Sequence, residues 1–161
     1  MLASVSTAPV PVLVMPFLRS SQSVFETLLA TDFSAAEPGP FVPREPWTDL
    51  TSSVTLRGGI EAMLSFHSPS DTALRIFERM TGIEAESVDD CVLDSMGEMS
   101  NMIGGYGKRE LEHLALLLGL PRVTVGLDAD LVLPTWQQHV WVPLSTGLGS
   151  CAIAVAWNEP E

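Results

Sequence analysis

Apolar positions recur along this chain with two different periods, and the switch between them marks out the elements. From Pro16, Phe17, Val24, Leu28 and Leu29 fall at helical spacing with Ser20, Ser21, Gln22 and Ser23 between them, which predicts a first helix ending near Thr31-Asp32. Four prolines and a glycine between Glu37 and Pro46 then forbid regular helix and most sheet pairing, so this stretch is a loop inside one domain. Two strands follow, Ser52 to Leu56 and Ile60 to Phe66, joined at Gly58-Gly59, a dipeptide that suits a tight hairpin turn. Ser68-Pro69-Ser70-Asp71 opens a second helix with Ser68 as cap and proline at the first helical position. Ala73, Leu74, Phe77 and Met80 form its buried stripe, and Gly82 stops it.

The third helix carries the most informative pattern. At roughly 100° per residue, Val92, Met96, Met99 and Ile103 share one narrow apolar stripe, while Asp94, Glu98, Asn101 and Gly105 line up opposite. Acids between Glu84 and Asp90 suit its N-terminus through the helix dipole. Lys108 to Leu118 reads as a further helix, with Leu111, Leu114, Ala115 and Leu118 on one face until Gly119 and Pro121 close it. The last third is strands: Val123 to Leu127, Gln138 to Leu144, and Cys151 to Trp157, the last two joined around residues 146–149. In the final strand Cys151, Ile153, Val155 and Trp157 alternate with Ala152, Ala154 and Ala156, so one face takes bulky packing and the other a close neighbour. This order predicts an α+β fold, helices packed on a largely antiparallel β-sheet, in a single domain over 1–161.

Composition narrows the function classes. With 46% apolar and 17% charged residues the chain is globular, and a formal net charge of -12 repels phosphate backbones and anionic lipid, which excludes nucleic acid as a partner. The apolar run from Ala8 to Leu18 is broken by Pro9, Pro11 and Pro16, is too short to span a bilayer and has no charged start. No membrane association is expected. Cys91 and Cys151 are too few for a disulfide framework, and each sits in an apolar pattern expected of a buried small hydrophobe, which suits a reduced, cytoplasmic setting.

A carboxylate and a carboxamide three residues apart stand one above the other on a helix, a rigid pair able to grip a cation and aim a water. By itself Glu98 with Asn101 describes an ordinary solvated face. The wider string from Asp94 to Gly105, an Asp, a Glu four residues on, an Asn three further, then an apolar pair and small residues, resembles the CheX/CheC family of chemotaxis phosphatases. The resemblance is clearest over 54–126, where Arg57-Gly58-Gly59-Ile60 to Met80-Thr81-Gly82 looks like that family's strand, loop and helix. Leu120-Pro121-Arg122-Val123-Thr124-Val125-Gly126 looks like its post-helix strand. Glu26, Glu61, Glu78, Glu84 and Glu110 have no Asn three residues on, and a single motif is similar to the CheX branch.

That resemblance implies a phosphatase acting on the aspartyl phosphate of a CheY-like response regulator. In that scheme Asn101 aligns the attacking water and Glu98 pairs with the regulator's lysine, with Asp94 and Gly105 as partner-binding contacts. It further implies a homodimer, for which Val140-Trp141-Val142, next to Pro143, offers a β-prone candidate edge strand. No cofactor of the chain's own is expected, and Mg²⁺ would arrive on the phosphorylated partner. His67, His113 and His139 are scattered without ligand spacing, and Gly104-Gly105-Tyr106-Gly107 follows a helix, unlike a phosphate loop. Trp47, Trp136, Trp141 and Trp157 read as core or interface. The competing reading is a non-catalytic adaptor that docks on a regulator or resembles a flagellar-switch component. Gly104, Gly105 and Gly107 depart from the family pattern, and require either a very close neighbour or a bend just past Asn101.

Overall fold

The computed structural model describes residues 12–40, 49–126 and 136–159. Helix α1 (Met15–Ser23) passes directly into a π-helical turn, Val24–Leu28. That wider turn shifts the phase of the apolar stripe, so Val24, Phe25 and Leu29 are buried while Leu28, expected in the core, is 52% exposed. Next comes a short strand the apolar pattern did not reveal, β1 (Phe33–Ala35). The Pro-rich loop and Trp47 lie outside the described residues beyond position 40.

The hairpin forms as expected, from β2 (Leu50–Arg57) and β3 (Glu61–Ser68), paired in register from Leu50 opposite Ser68 to Arg57 opposite Glu61. Gly58 is required in its turn because a β-carbon there would run into the backbone carbonyls of Leu114 and Ala115. Helix α2 (Ser70–Thr81) starts one residue later than the sequence suggests: Pro69, extended at ψ 155°, is its N-cap. The oxygen that caps it comes instead from Asp49, whose Oδ2 accepts from the Ser70 backbone N–H at 2.9 Å. Gly82 ends the helix in the left-handed region, φ 74°. Helix α3 (Asp90–Lys108) is capped by Asp89, which accepts from the Val92 N–H at 3.0 Å.

The expected helix over Lys108 to Leu118 is not formed. After α3 the chain makes a 3₁₀ segment, Arg109–Leu114, broken at Leu111 (φ -121°, ψ 35°), turns at Ala115 (φ 49°) and enters β4 (Leu117–Leu118). Competing backbone hydrogen bonds explain the difference: Gly59 N–H donates to Leu114 O at 2.7 Å and Gly119 N–H to Thr55 O at 2.8 Å, drawing the chain back onto the hairpin. Strands β5 (Arg122–Val125), β6 (Gln138–Thr146) and β7 (Gly149–Asn158) complete the fold.

The seven strands of the described residues form one antiparallel sheet in the order β1-β6-β7-β3-β2, with β4 and β5 both pairing the outer side of β2. Val54, Leu64, Phe66, Ile153 and Val155 meet Phe17, Ile76, Met96 and Met99 in one core. On the opposite face Ala152 and Ala154 leave room for Trp141, as the alternation in β7 anticipates. Strand β6 lies between β7 and β1, with a further bridge from Trp141 to Gly39. Val140–Val142 is therefore not the open edge the sequence suggested. Cys151 is buried, and burial pushes its thiol above the usual range, but Cys91 is exposed at the start of α3 rather than buried.

Candidate functional site

Helix α3 builds the site. Val92, Met96, Met99 and Ile103 are at most 1% exposed, so the apolar stripe is core as read from its spacing. Burial wraps wider than that stripe: Ser95, Gly97, Ser100, Gly104 and Gly107 are also enclosed. The glycines resolve as close approach, with α3 continuing unbroken for 19 residues. Gly97 lies on Val123 and Pro121, Gly104 on Val54 and Leu118, and Gly107 on the Phe17 ring of α1. Ser20 Oγ ties α1 to the same helix by donating to Ile103 O at 2.8 Å. What remains open to solvent is a narrow strip carrying Asp94, Glu98, Asn101 and Gly105.

Glu98 is exposed and Asn101 half-buried, and neither side chain has a hydrogen-bond or ionic partner among the described residues. Both are therefore free to receive a ligand while the backbone beneath them is fixed by the core. They line an open concavity of about 510 Å³ together with Met102, Gly105, Arg109 and Leu118. Asp94, a turn earlier, is exposed but stands outside this groove. The sequence reading missed Tyr106, Lys108, Arg109 and Leu118. The signal for Arg109 was available, because 98, 101, 105 and 109 continue one helical face. Leu118 had no local signal, since the chain returns to the groove only through β4.

Arg109 stacks at the groove, its guanidinium carbon 5.0 Å from the centre of the Tyr106 ring. Lys108 Nζ donates to Leu116 O at 3.2 Å, so the helix C-terminus ends in two positive groups where the dipole favours them. Among the described residues no group of three His, Cys, Asp or Glu is arranged to hold a metal. His113 is exposed, His139 half-buried at the start of β6, and His67 fully buried beside Trp141 with ring centroids 4.7 Å apart. Desolvation pushes the His67 imidazole down to about 3, so it is neutral at physiological pH. A second concavity, about 330 Å³, lies by Asp49, Ser70, Thr72 and Arg75. There Asp49 accepts from Ser70, Thr72 donates to the Ser150 carbonyl and Arg75 to the Leu148 carbonyl. No helix among the described residues is long and apolar enough to cross a membrane.

Residues 50–145 match the family model described as chemotaxis phosphatase CheX. The chain is 29% identical over 127 residues to the CheY-P phosphatase CheX of Thermotoga maritima, covering 76% of this chain and 82% of that protein. Among solved structures it is similar to the chemotaxis protein CheX of Vibrio vulnificus, with a TM-score of 0.79 at 22% identity, covering 91% of this chain and 99% of that one. It is similar also to the Borrelia burgdorferi CheX solved in a CheX-CheY-BeF3-Mg²⁺ complex, with a TM-score of 0.78 at 20% identity over 91% and 98% of the two chains.

Proposed function

This chain belongs to the CheX family of chemotaxis phosphatases, and on that premise we propose that it hydrolyses the aspartyl phosphate of a CheY-like response regulator. The observation that carries the reading is the Glu98–Asn101 pair: an acid and a carboxamide, about 4.5 Å apart along the axis of a helix whose other face is core, the first exposed and the second half-buried, and both without partners among the described residues. The named phosphatase activity of the Thermotoga relative and the CheY partner of the Borrelia relative agree with it.

Hydrolysis of an acyl phosphate asks mainly for an in-line water and for charge stabilisation on the phosphoryl oxygens. The Asn101 carboxamide supplies both, its oxygen accepting from the water and its nitrogen donating to a phosphoryl oxygen. Glu98, acceptor-only when ionised, pairs with the lysine beside the regulator's phosphate and sets the register of docking. Asp94 and Gly105 extend the contact along the same strip. On this reading the divalent cation comes with the phosphorylated regulator and the chain supplies no metal ligand of its own; the Borrelia complex is named as containing Mg²⁺ together with CheX, CheY and BeF3. An adaptor would need the surface but not the carboxamide.

We also propose a homodimer, formed through the outer edge of β1. No other strand among the described residues pairs there, and β1 stands at the opposite end of the sheet from β2, on which α3 packs. Joining two sheets by that edge satisfies its open backbone groups and leaves both motif helices accessible.

The deciding experiment follows the decay of a labelled phosphorylated regulator with and without this protein. Acceleration at substoichiometric concentration supports the enzyme; binding without acceleration supports the adaptor. Light scattering addresses the dimer, and a mass near 17.4 kDa at all concentrations rejects it.

A further inference from the structure

We infer that Arg109 and Leu120, on opposite flanks of the Glu98–Asn101 pair, are the two anchors that dock the regulator, a role resting on the phosphatase reading above. Arg109 closes the strip begun by Glu98, Asn101 and Gly105. Its guanidinium is held over Tyr106 at 5.0 Å and has no carboxylate among the described residues. The neighbouring Glu110 is already taken by Arg19, at 2.7 Å. In a chain with 8 basic residues against 20 acidic ones, the one lysine, Lys108, and Arg109 stand together at this groove.

Their position is an electrostatic argument for the occupant. A protein that presents a phosphoryl group with a divalent cation must gather carboxylates around that cation. A partner so acidic is repelled by the overall charge of -12 and is steered by a local positive end. Arg109 lies eight residues beyond Asn101, about 12 Å along the helix. We place it outside the reacting centre because its guanidinium is already engaged with the Tyr106 ring. Its ligand is therefore an acidic side chain on the regulator's rim, and Arg109 contributes to docking and not to the chemical step.

Leu120 occupies the other flank. Leu118 Cδ2 lies 3.8 Å from where a β-carbon at Gly105 would sit, and Pro121 Cβ lies 3.6 Å from that of Gly97. The chain between them thus passes level with Glu98 and Asn101. Gly119 pins this turn to β2 through its hydrogen bond to Thr55 O, yet Leu120 is 92% exposed. A single exposed leucine needs no explanation; one on a turn pinned to β2 and level with the polar pair offers apolar surface that a docked partner can bury.

The test uses the full chain, the regulator loaded with beryllofluoride as a non-hydrolysable phosphoryl mimic for binding, and the phosphorylated regulator for turnover. Arg109→Glu is expected to weaken binding and raise KM at least tenfold, with kcat within twofold and a flatter salt dependence. Leu120→Ser is expected to raise KM several-fold with the salt dependence unchanged. Both sites are exposed, and circular dichroism verifies that the variants fold. If the wild type binds and hydrolyses while both variants match it in Kd and KM, the two-anchor inference is overturned and the phosphatase reading stands. A loss of kcat at unchanged KM overturns it as well, by placing these residues in the chemistry. If the wild type neither binds nor hydrolyses any phosphorylated regulator, the phosphatase reading fails and the inference falls with it.

Discussion

Gly104 lies so close to Val54 that a β-carbon at position 104 would come within 2.8 Å of Val54 Cγ2, and within 3.1 Å of Leu118 Cδ1. Val54 is 1% exposed and β-branched, with little freedom to move aside. Gly104→Ala is therefore expected to destabilise the fold by about 1–3 kcal/mol despite the higher helix propensity of alanine. Urea unfolding checks it, and a stability gain would show that α3 moves away from the sheet at no cost.

Gly105, the next residue, meets nothing nearer than Leu118 Cδ2 at 3.8 Å. Gly105→Ala is expected to stabilise the protein by up to about 1 kcal/mol and to raise KM for the phosphorylated regulator, since its methyl stands in the groove. Two adjacent glycines thus separate packing from docking. Equal losses of stability at both positions would contradict the assignment.

Asn101→Ala removes the proposed water-aligning group from a half-exposed position. A loss of about 100-fold or more in kcat is expected, as for removal of a donor to a developing anion, with stability changed by less than about 0.5 kcal/mol. Single-turnover decay of the phosphorylated regulator measures it, and near-wild-type hydrolysis would remove Asn101 from the mechanism.

Glu98→Gln keeps shape and loses charge. Weaker productive docking, with KM raised about tenfold if a charge-assisted bond worth roughly 1.4 kcal/mol is lost, and a flatter dependence on salt are expected. Rates taken from low to high ionic strength give the answer; an unchanged profile would argue against a lysine opposite Glu98.

His67 predicts an acid limit to stability. The ring is fully buried, with Nε2 2.7 Å from Ser65 Oγ, and desolvation by that burial lowers its folded value to about 3, below the ordinary histidine value of 6.5. The unfolded chain binds the extra proton between those values. The contribution is therefore complete above pH 6.5 and declines by up to about 1.4 kcal/mol per pH unit as pH falls toward 3. Unfolding free energies of wild type and His67→Gln across this window should differ in slope by that amount, and parallel profiles would mean that His67 is hydrated in the folded state.

Local periodicity settled a good deal of this protein in advance. Val92, Met96, Met99 and Ile103 had to be core because their spacing leaves no other face for them, and that orientation necessarily turned Glu98 and Asn101 outward. The β2–β3 hairpin and the alanines of β7 were legible for the same reason: side-chain direction follows backbone geometry over a few residues. Position relative to distant residues was not legible. The Lys108 to Leu118 segment has a helical pattern but hydrogen-bonds to the hairpin through Gly59 and Thr55, a competition that exists only once the hairpin is folded. Val140–Val142 is β-prone whether it lies at an edge or inside, and the pairing with β7 on one side and the Trp141–Gly39 bridge on the other decided it. The glycines carry the plainest lesson, because Gly104 and Gly105 are identical in sequence and differ only in which of them faces Val54. Residue identity and spacing dictate which way a side chain points; what it meets there is set by elements far away in the chain.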